Sequence, residues 1–407
     1  MAPPRHVIVA GAGLAGLSAA LALERAGLRV TVLEQAEKLE ETGAGIQLSP
    51  NATRVLGAIG LLERVRSVAT APEAIRVMAG RSGREIARIP LGAQAEQRYG
   101  APFLVMHRAD LQQALIDAAR PKRDIALKLG VRVEDFAAHN KGVTVLGRHG
   151  QEVVDERGIA LVAADGVWSS LRSRITKTRR PRFSHRTAWR ALVPADDLPG
   201  MYRAPFVHLW LGLDAHLVHY PVKSGKLVNI VCIVNEEWSE PGWSEQGDRD
   251  LLLRQFARWT WADEVREFLS VPQRWVKWAL YEGRGALRDG SGPVTLIGDA
   301  AHPMLPFLAQ GAGMAIEDAA VLAHMLGRYL DDPADALRGY EGARYHRIER
   351  VRKLSRRQAR IYGMSGPEAL IRNGVMMSMG GENLLRRYDW LYTWQAPPIA
   401  QPVSHPL

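Results

Sequence analysis

The glycines of GAGLAG, Gly11 to Gly16, stand between a β-branched run, His6 to Ala10, and an apolar-rich stretch that reads as a helix to about Ala26. A strand, a glycine turn and a helix in that order gather backbone N–H groups at a helix N-terminus, where phosphate charge is favoured. Gly11 permits the tight turn, Gly13 lets the backbone approach a pyrophosphate, and Gly16 allows close packing of helix on strand. A second buried strand, Arg29 to Leu33, ends in Glu34, an acid placed to hold a ribose diol. That acid disfavours a ribose 2′-phosphate, so the spacing predicts bound FAD or NAD rather than NADP.

Other clusters carry chemistry of their own. The strand Val294 to Ile297 runs into GDAAH, Gly298 to His302, so the Asp299 carboxylate can accept hydrogen bonds from ribityl hydroxyls while the N–H groups of Gly298 to Ala300 face a pyrophosphate. The alternative is an aspartate that only caps the following turn. Gln310-Gly311-Ala312-Gly313-Met314 opens a helix whose positive end suits the pyrimidine edge of a flavin, where charge accumulates on reduction; the alternative is a glycine-rich helix start without a ligand. His216 and Tyr220 are four apart, so in a strand they share one face, and His219 points to the other. A histidine titrating near neutrality makes a useful general base, whereas the simpler reading is a satisfied polar pair among aromatics. Ser169 and Ser170 read as capping groups, a surface charge is the simpler of the readings open for Arg172, and His302 reads as a residue that packs or caps below its loop. Walker A, HExxH and GxSxG segments and metal-ligand clusters are absent from the sequence, so no metal site is expected.

The elements that position these residues go beyond one Rossmann unit. Arg76 to Met78 and Glu85 to Ile89 read as short strands, Asp110 to Ala119 as a helix, and Val131 to Val154 as a hairpin-rich meander. Ile159 to Ala163 is a further strand leading into AADGVWSSLR, Ala163 to Arg172. Phe183 to Val234 alternates apolar and aromatic residues as an antiparallel sheet would, and Asp248 to Leu269 reads as helices. The nucleotide domain is thus resumed late, with a second sheet inserted. The expected partition is an FAD-binding domain at 1–71, 99–179 and 287–362, a substrate-binding sheet domain at 72–98 and 180–286, and a helical or irregular tail at 363–407.

The chain of 407 residues suggests two or three domains at ~150 residues each, with the apolar and charged content of an ordinary globular protein. The lone Cys232 leaves no disulfide framework, which points to a reducing, cytoplasmic setting. No run approaches the ~18 apolar residues a span requires, so no membrane association is expected. The net charge of +10 concentrates in Arg344 to Arg360, with a lesser stretch at Arg172 to Arg182. On a helix the first spreads its cations round the circumference with few aromatics between them. That favours a solvated face over a nucleic-acid surface, and a basic exterior would still steer anionic cofactors and carboxylates inward.

GAGLAG with Glu34, the Asp165-Gly166 pair in AADGVWSSLR, and LIGDAAHPMLPFLAQGAGMAIEDA, Leu296 to Ala319, resemble the GxGxxG, DG and GD motifs of the single-component FAD-dependent aromatic hydroxylases. GAGIQLSPNA, TAWRALVP and HLVHYPV resemble segments of the branch holding salicylate hydroxylase, 3-hydroxybenzoate 6-hydroxylase and 6-hydroxynicotinate 3-monooxygenase. The resemblance implies an α/β fold of the p-hydroxybenzoate hydroxylase type, with a Rossmann-like FAD-binding domain interleaved with an antiparallel-sheet substrate domain and C-terminal helices. It implies non-covalent FAD, NADH or NADPH as transient reductant without a second fingerprint, O2, and a small aromatic carboxylate hydroxylated through a C4a-hydroperoxyflavin. It further implies that Arg108 holds the cofactor's phosphate or ribityl region, that Asp165 and Gly166 contact FAD and nicotinamide nucleotide, and that Pro306 walls the flavin ring. His216 and Tyr220 would face the substrate ring, His216 removing the phenolic proton, while Gln47 stands where some relatives carry histidine. A homodimer is left open. The competing functions are a reductase of the same fold and a non-catalytic flavin- or nucleotide-binding regulatory module.

Overall fold

The structure, a computed structural model, describes residues 5–39, 44–176, 180–238, 244–283, 292–329 and 331–399. Gly43 of GAGIQLSPNA, residues 177–179 of the lesser basic stretch, the expected domain boundary at 287 and tail residues 400–407 lie outside the described residues.

Five parallel strands form the first sheet, in the order Val294–Leu296, Ala160–Ala163, His6–Ala10, Arg29–Glu34, Ile125–Leu129. Their runs are continuously apolar because helices cover both faces of a parallel sheet; Val7, Ile8 and Val9 are fully buried. The helix Leu14–Arg25 follows the first strand and packs against Gly311–Arg328 from the far end of the sequence. The late strand therefore joins the early ones, as the pattern of the chain predicts. Val131–His139, Gly142–His149 and Glu152–Gly158 form a three-stranded meander extending to Gly158.

The second sheet has eight strands, drawn from Ala74–Pro90 and Arg182–Glu282. Every neighbouring pair is antiparallel except Phe206–Leu211 beside Ala74–Ala79. Alternation gives it two unlike faces. Trp189, Trp210, Trp275, Leu217 and Cys232 pack under the helices Arg249–Arg258 and Asp263–Ser270. Ile75, Val77, Leu209, His216 and Val218 point the other way, into a cavity.

One helix of 30 residues, Pro333–Tyr362, ties the two sheets together. Near its start the Tyr340 hydroxyl donates to the Leu296 carbonyl at 3.2 Å, and near its end Ser355 Oγ donates to the Leu305 carbonyl at 2.7 Å. This corrects the reading of Arg344 to Arg360 as a solvated face. Arg344, Ile348, Val351, Arg352, Ser355 and Ala359 recur at helical spacing and are buried, while Arg350, Lys353, Arg357 and Arg360 are exposed. The helix Gly366–Arg386 then covers the cavity and breaks at Gly380, where φ is 69° and ψ 161°. Among the described residues no helix is long and apolar enough to cross a membrane.

Candidate active site

At the first βα turn Gly11 has φ 108°, and a Cβ there would lie 2.5 Å from the Ala164 carbonyl oxygen. Gly13 is the N-cap of Leu14–Arg25, extended at φ −71° and ψ −175°, and a Cβ there would meet nothing within 4 Å. Space is therefore left where a phosphate must approach. At Gly16 the reverse holds, since a Cβ would sit 1.9 Å from the Gly11 carbonyl oxygen. The Glu34 carboxylate accepts from the Ala12 N–H at 2.6 Å and from the Ala36 N–H at 2.9 Å. The turn thus holds the acid in place, with lone pairs left for ribose hydroxyls.

The DG and GD segments meet across a buried Arg172, which donates to the carbonyls of Ala300 at 2.6 Å, Asp299 at 2.8 Å, Val167 at 3.0 Å and Gly166 at 3.4 Å. Burial lowers its pKa, and the nearby Asp165 and Asp299 oppose that. The surface-charge reading of Arg172 is therefore corrected, whereas Ser169 Oγ accepts the Arg172 N–H at 2.9 Å as a capping group does. Asp165 accepts the Leu171 N–H at 3.3 Å through Oδ2, and its buried Oδ1 has no hydrogen-bond partner among the described residues. Gly166 takes φ 79° with open space at its Cβ position. Asp299 is exposed, but the Gly298 N–H donates to Asp318 at 2.9 Å, so that amide does not face a pyrophosphate as expected. A Cβ on Gly298 would come 2.7 Å from the Ala15 Cβ. The GD loop therefore abuts the first helix start.

A second helix packs against the GD loop. Gly311–Arg328 has no side-chain cap, and a Cβ on Gly311 would meet open space. The Met314 N–H donates to the Gln310 carbonyl at 2.8 Å and its side chain is buried, which leaves Gly311 to Gly313 as the amides without intrahelical acceptors. Beneath this helix lies a buried ionic network. Arg344 donates to Glu317 and Asp318, both at 2.7 Å, Arg347 to Glu317 at 2.6 Å, and His302 pairs with Asp318 at 2.5 Å. Burial pushes the Asp318 carboxyl up, yet His302 and Arg344 outweigh it and hold it down at about 2. Asn51 bridges Glu317 at 2.7 Å and Gln310 at 3.1 Å, and Gln310 donates to Ser49 at 2.8 Å. None of this network was visible in the sequence, because its partners sit 16 residues apart across a loop, 26 to 30 apart on one helix pair, or more than 250 apart.

Arg108 opens the helix Arg108–Ala119, its N–H donating to the Ala44 carbonyl at 2.9 Å. Arg190 lies close to it, over the Trp278 ring at 4.7 Å, with its pKa pulled to about 10 first by burial and then by Arg108. The sequence reading passed over Arg190, visible only as part of TAWRALVP. Together these two uncapped helix starts, the open Gly13 and Gly166 positions, the orphaned Asp165 oxygen and the paired guanidiniums suit the phosphates and hydroxyls of FAD. Glu34, Arg108, Asp165, Asp299 and the amides of Gly311 to Gly313 would hold it.

A cavity of about 810 Å³ adjoins the second helix start at Gln310. Pro306 to Gln310 form its wall beside the second helix start, and Gln47, Ser49 and His216 supply polar groups at that end. His216 is buried, its ring 5.0 Å from Phe307 and 5.2 Å from Tyr362. Burial, then Arg186, lowers its pKa to about 3. The expectation of titration near neutrality is therefore not met: the imidazole stays neutral. Tyr220 shares the strand face but does not line the cavity. Its hydroxyl is hydrogen-bonded to Gln47 and lies where a Gly45 Cβ would come within 2.6 Å, and burial raises its pKa. It braces the strand Gly45–Leu48 that carries Gln47. His219 faces the opposite side, stacked on His208 at 4.3 Å with neither ring nitrogen bonded among the described residues. No cluster of three or more His, Cys, Asp or Glu able to hold a metal occurs among the described residues.

Comparison with known proteins agrees with this geometry. The FAD binding domain family matches residues 5–355. The chain is 37% identical over 388 residues to 3-hydroxybenzoate 6-hydroxylase 1 of Aquipseudomonas alcaligenes, covering 95% of this chain and 97% of that protein. It is also 37% identical over 396 residues to 3-amino-4-hydroxybenzoate 2-monooxygenase PtnB3 of Streptomyces platensis, covering 97% of each. Among solved structures, Klebsiella pneumoniae HpxO with FAD and uric acid superposes with TM-score 0.83 at 26% identity, covering 95% of this chain and 96% of that one. A salicylate hydroxylase substrate complex gives 0.81 at 26% identity, covering 98% and 99%. The chain therefore belongs to the FAD binding domain family, as an FAD-dependent aromatic monooxygenase.

Proposed function

We propose that the protein hydroxylates a small phenolic carboxylate of the hydroxybenzoate type, using NADH or NADPH and O2. One observation carries this reading: a largely apolar cavity holds a buried, neutral histidine at the end walled by Pro306–Gln310, beside an uncapped helix start. Relatives named for hydroxybenzoate hydroxylation support it over most of the chain's length. Bound FAD, reduced by the nicotinamide nucleotide, supplies the oxygen chemistry.

The chain's own residues position the ring and set its charge. Apolar side chains, among them Val218, Leu308 and Phe307, exclude water from the aromatic face. A neutral imidazole has one N–H, which at His216 donates to the phenolic oxygen of a substrate bound as the phenolate, its proton having left to solvent. A donor in a dry site favours that charge more than the same group in water. The proton is not stored on His216, because burial keeps the ring from accepting it. Gln47, fixed by Tyr220, and Gln310, fixed by Ser49 and Asn51, present amides to the same end of the cavity. Amides of Gly311 to Gly313 meet the charge that reduction places on the flavin.

The test is to screen hydroxybenzoates and hydroxynicotinates for perturbation of the flavin spectrum and for faster NADH or NADPH oxidation. A hydroxylated product from at least one of them is expected. A protein that holds FAD but responds to none of them would rule the substrate class out.

A further inference from the structure

The cavity continues beyond the end at which a substrate ring would meet His216, Gln47 and Gln310. Its two ends also differ in kind. The inner end carries His216, Gln47 and Gln310 against the Pro306–Gln310 wall. The outer end is bounded by Ile75, Val77, Ile89 and Leu209 of the eight-stranded sheet, and across from them by Met376 and Met379. Arg372 also borders it, its Nη1 donating to the carbonyls of Ile361, Tyr362 and Met364 at 3.1 to 3.3 Å and its Nε to Asn373 at 3.0 Å. The exposed Arg357, Arg360, Glu368 and Arg387 lie at the rim.

The covering helix shows that this end is built and yet incompletely covered. At Gly381 a Cβ would lie 1.7 Å from the Arg88 carbonyl oxygen, so the helix is seated on the edge strand there. Beyond the break at Gly380, the stretch from Gly366 to Met379 spans the cavity. Ile371 and Val375 line the cavity while being 68% and 48% exposed. An apolar side chain that borders a cavity and also touches water gains burial from an occupant of that cavity. Methionines adapt to irregular aliphatic shapes.

We propose that the outer compartment is a subsite for an apolar substituent, so that the preferred substrate is a phenolic acid bearing an aliphatic or aryl extension of several carbons. This rests on the reading of the site as that of an aromatic hydroxylase. The ring occupies the His216 end, and the extension runs between the sheet and Met376 and Met379, covering Ile371 and Val375.

The experiment titrates FAD-loaded enzyme with 2- and 3-hydroxybenzoate and with their methyl, propyl and heptyl derivatives at each free ring position, following the flavin spectrum. Complete burial of one methylene is worth about a fourfold gain, so partial burial predicts a Kd falling at least tenfold from methyl to heptyl in one positional series. Two variants locate the effect, with FAD content as the check on folding. Met379→Asp places charge in the compartment and Met376→Trp fills it, and each should cut the heptyl-to-methyl affinity ratio at least fivefold. A flat series, in which every derivative binds within threefold of its parent, would overturn the subsite while leaving the aromatic-acid reading intact. The same ratio in wild type and both variants would overturn it too. Absence of any spectral response from parents and derivatives alike would refute the aromatic-acid reading itself, and the subsite with it.

Discussion

Gly13 and Gly16 occupy one motif, yet substitution should separate cofactor binding from folding. At Gly13 the backbone, φ −71° and ψ −175°, suits any residue, and a Cβ meets nothing within 4 Å. Gly13→Val trades a less favourable N-cap against a less flexible unfolded chain, terms of about 1 kcal/mol and opposite sign. The fold should therefore change by less than about 1 kcal/mol. The valine would occupy the space a pyrophosphate needs. Losing two charge-assisted hydrogen bonds from the Leu14–Arg25 helix start, at about 1.5–3 kcal/mol each, corresponds to roughly a hundred- to ten-thousand-fold weaker FAD binding. Gly16→Val has the opposite problem, because its Cβ would fall 1.9 Å from the backbone oxygen of Gly11, which cannot rotate away. Here the fold itself should fail, by more than the ~1–3 kcal/mol of an ordinary overpacked site. The assay is flavin fluorescence titration of apoprotein, paired with urea unfolding of the same apoprotein. Stoichiometric FAD in a well-folded Gly13→Val protein would refute the phosphate assignment, and a soluble, normally stable Gly16→Val protein would refute the packing argument.

Three further outcomes follow from the site. His216→Asn should keep FAD yet lower the hydroxylation step about 10–100-fold, the worth of a hydrogen bond to a charged oxygen, with more NAD(P)H consumption ending as peroxide; because the ring is held near 3, wild-type kcat/KM should show no His216 inflection near pH 6.5, and finding one that the Asn variant loses would contradict its neutrality. Arg344→Met should destabilise by about 3–5 kcal/mol in urea unfolding, since it takes one cation from two buried carboxylates and leaves Glu317 to Arg347 and Asp318 to His302, and a loss under 1 kcal/mol would show that the network contributes little. Burial lowers the pKa of His208 to about 4, of His216 to about 3 and of His219 well below 6.5, so the unfolded chain protonates first as pH falls. Their stabilisation is complete above pH 6.5 and fades below it, by about 2 kcal/mol each for His208 and His216 at pH 5, with His219 acting in the same direction. The urea midpoint should thus drop sharply between pH 7.5 and 5, less so in His219→Phe, and equal midpoints would contradict the shifts.

The βαβ unit was legible because glycine chemistry and strand–helix alternation are local signals. The insertion of a second sheet was legible because buried runs resume at Val294 after a long aromatic, alternating stretch. What the sequence hid was pairing at a distance. Arg344 looks like one more cation of a basic helix until the fold brings Glu317 and Asp318 against it, and Arg172 looks exposed until the GD loop closes over it. Strand periodicity placed His216 and Tyr220 on one face, but it carries no depth. Val218 stands between them, and only His216 reaches the cavity, while the Tyr220 hydroxyl ends against Gln47. Periodicity also carries no solvation, so the depressed basicity of His216 could not be read from residue type.

The central claim, oxygen insertion into an aromatic acid at the cavity, is met most directly by turnover under 18O2. Enzyme, NADH or NADPH and the hydroxybenzoate that best perturbs the flavin are incubated, and the product is weighed by mass spectrometry against nucleotide consumed. The account predicts one 18O atom in each product ring and a product-to-nucleotide ratio approaching one. Nucleotide oxidation that accelerates with the aromatic but yields only hydrogen peroxide, or product oxygen drawn from water, would contradict it.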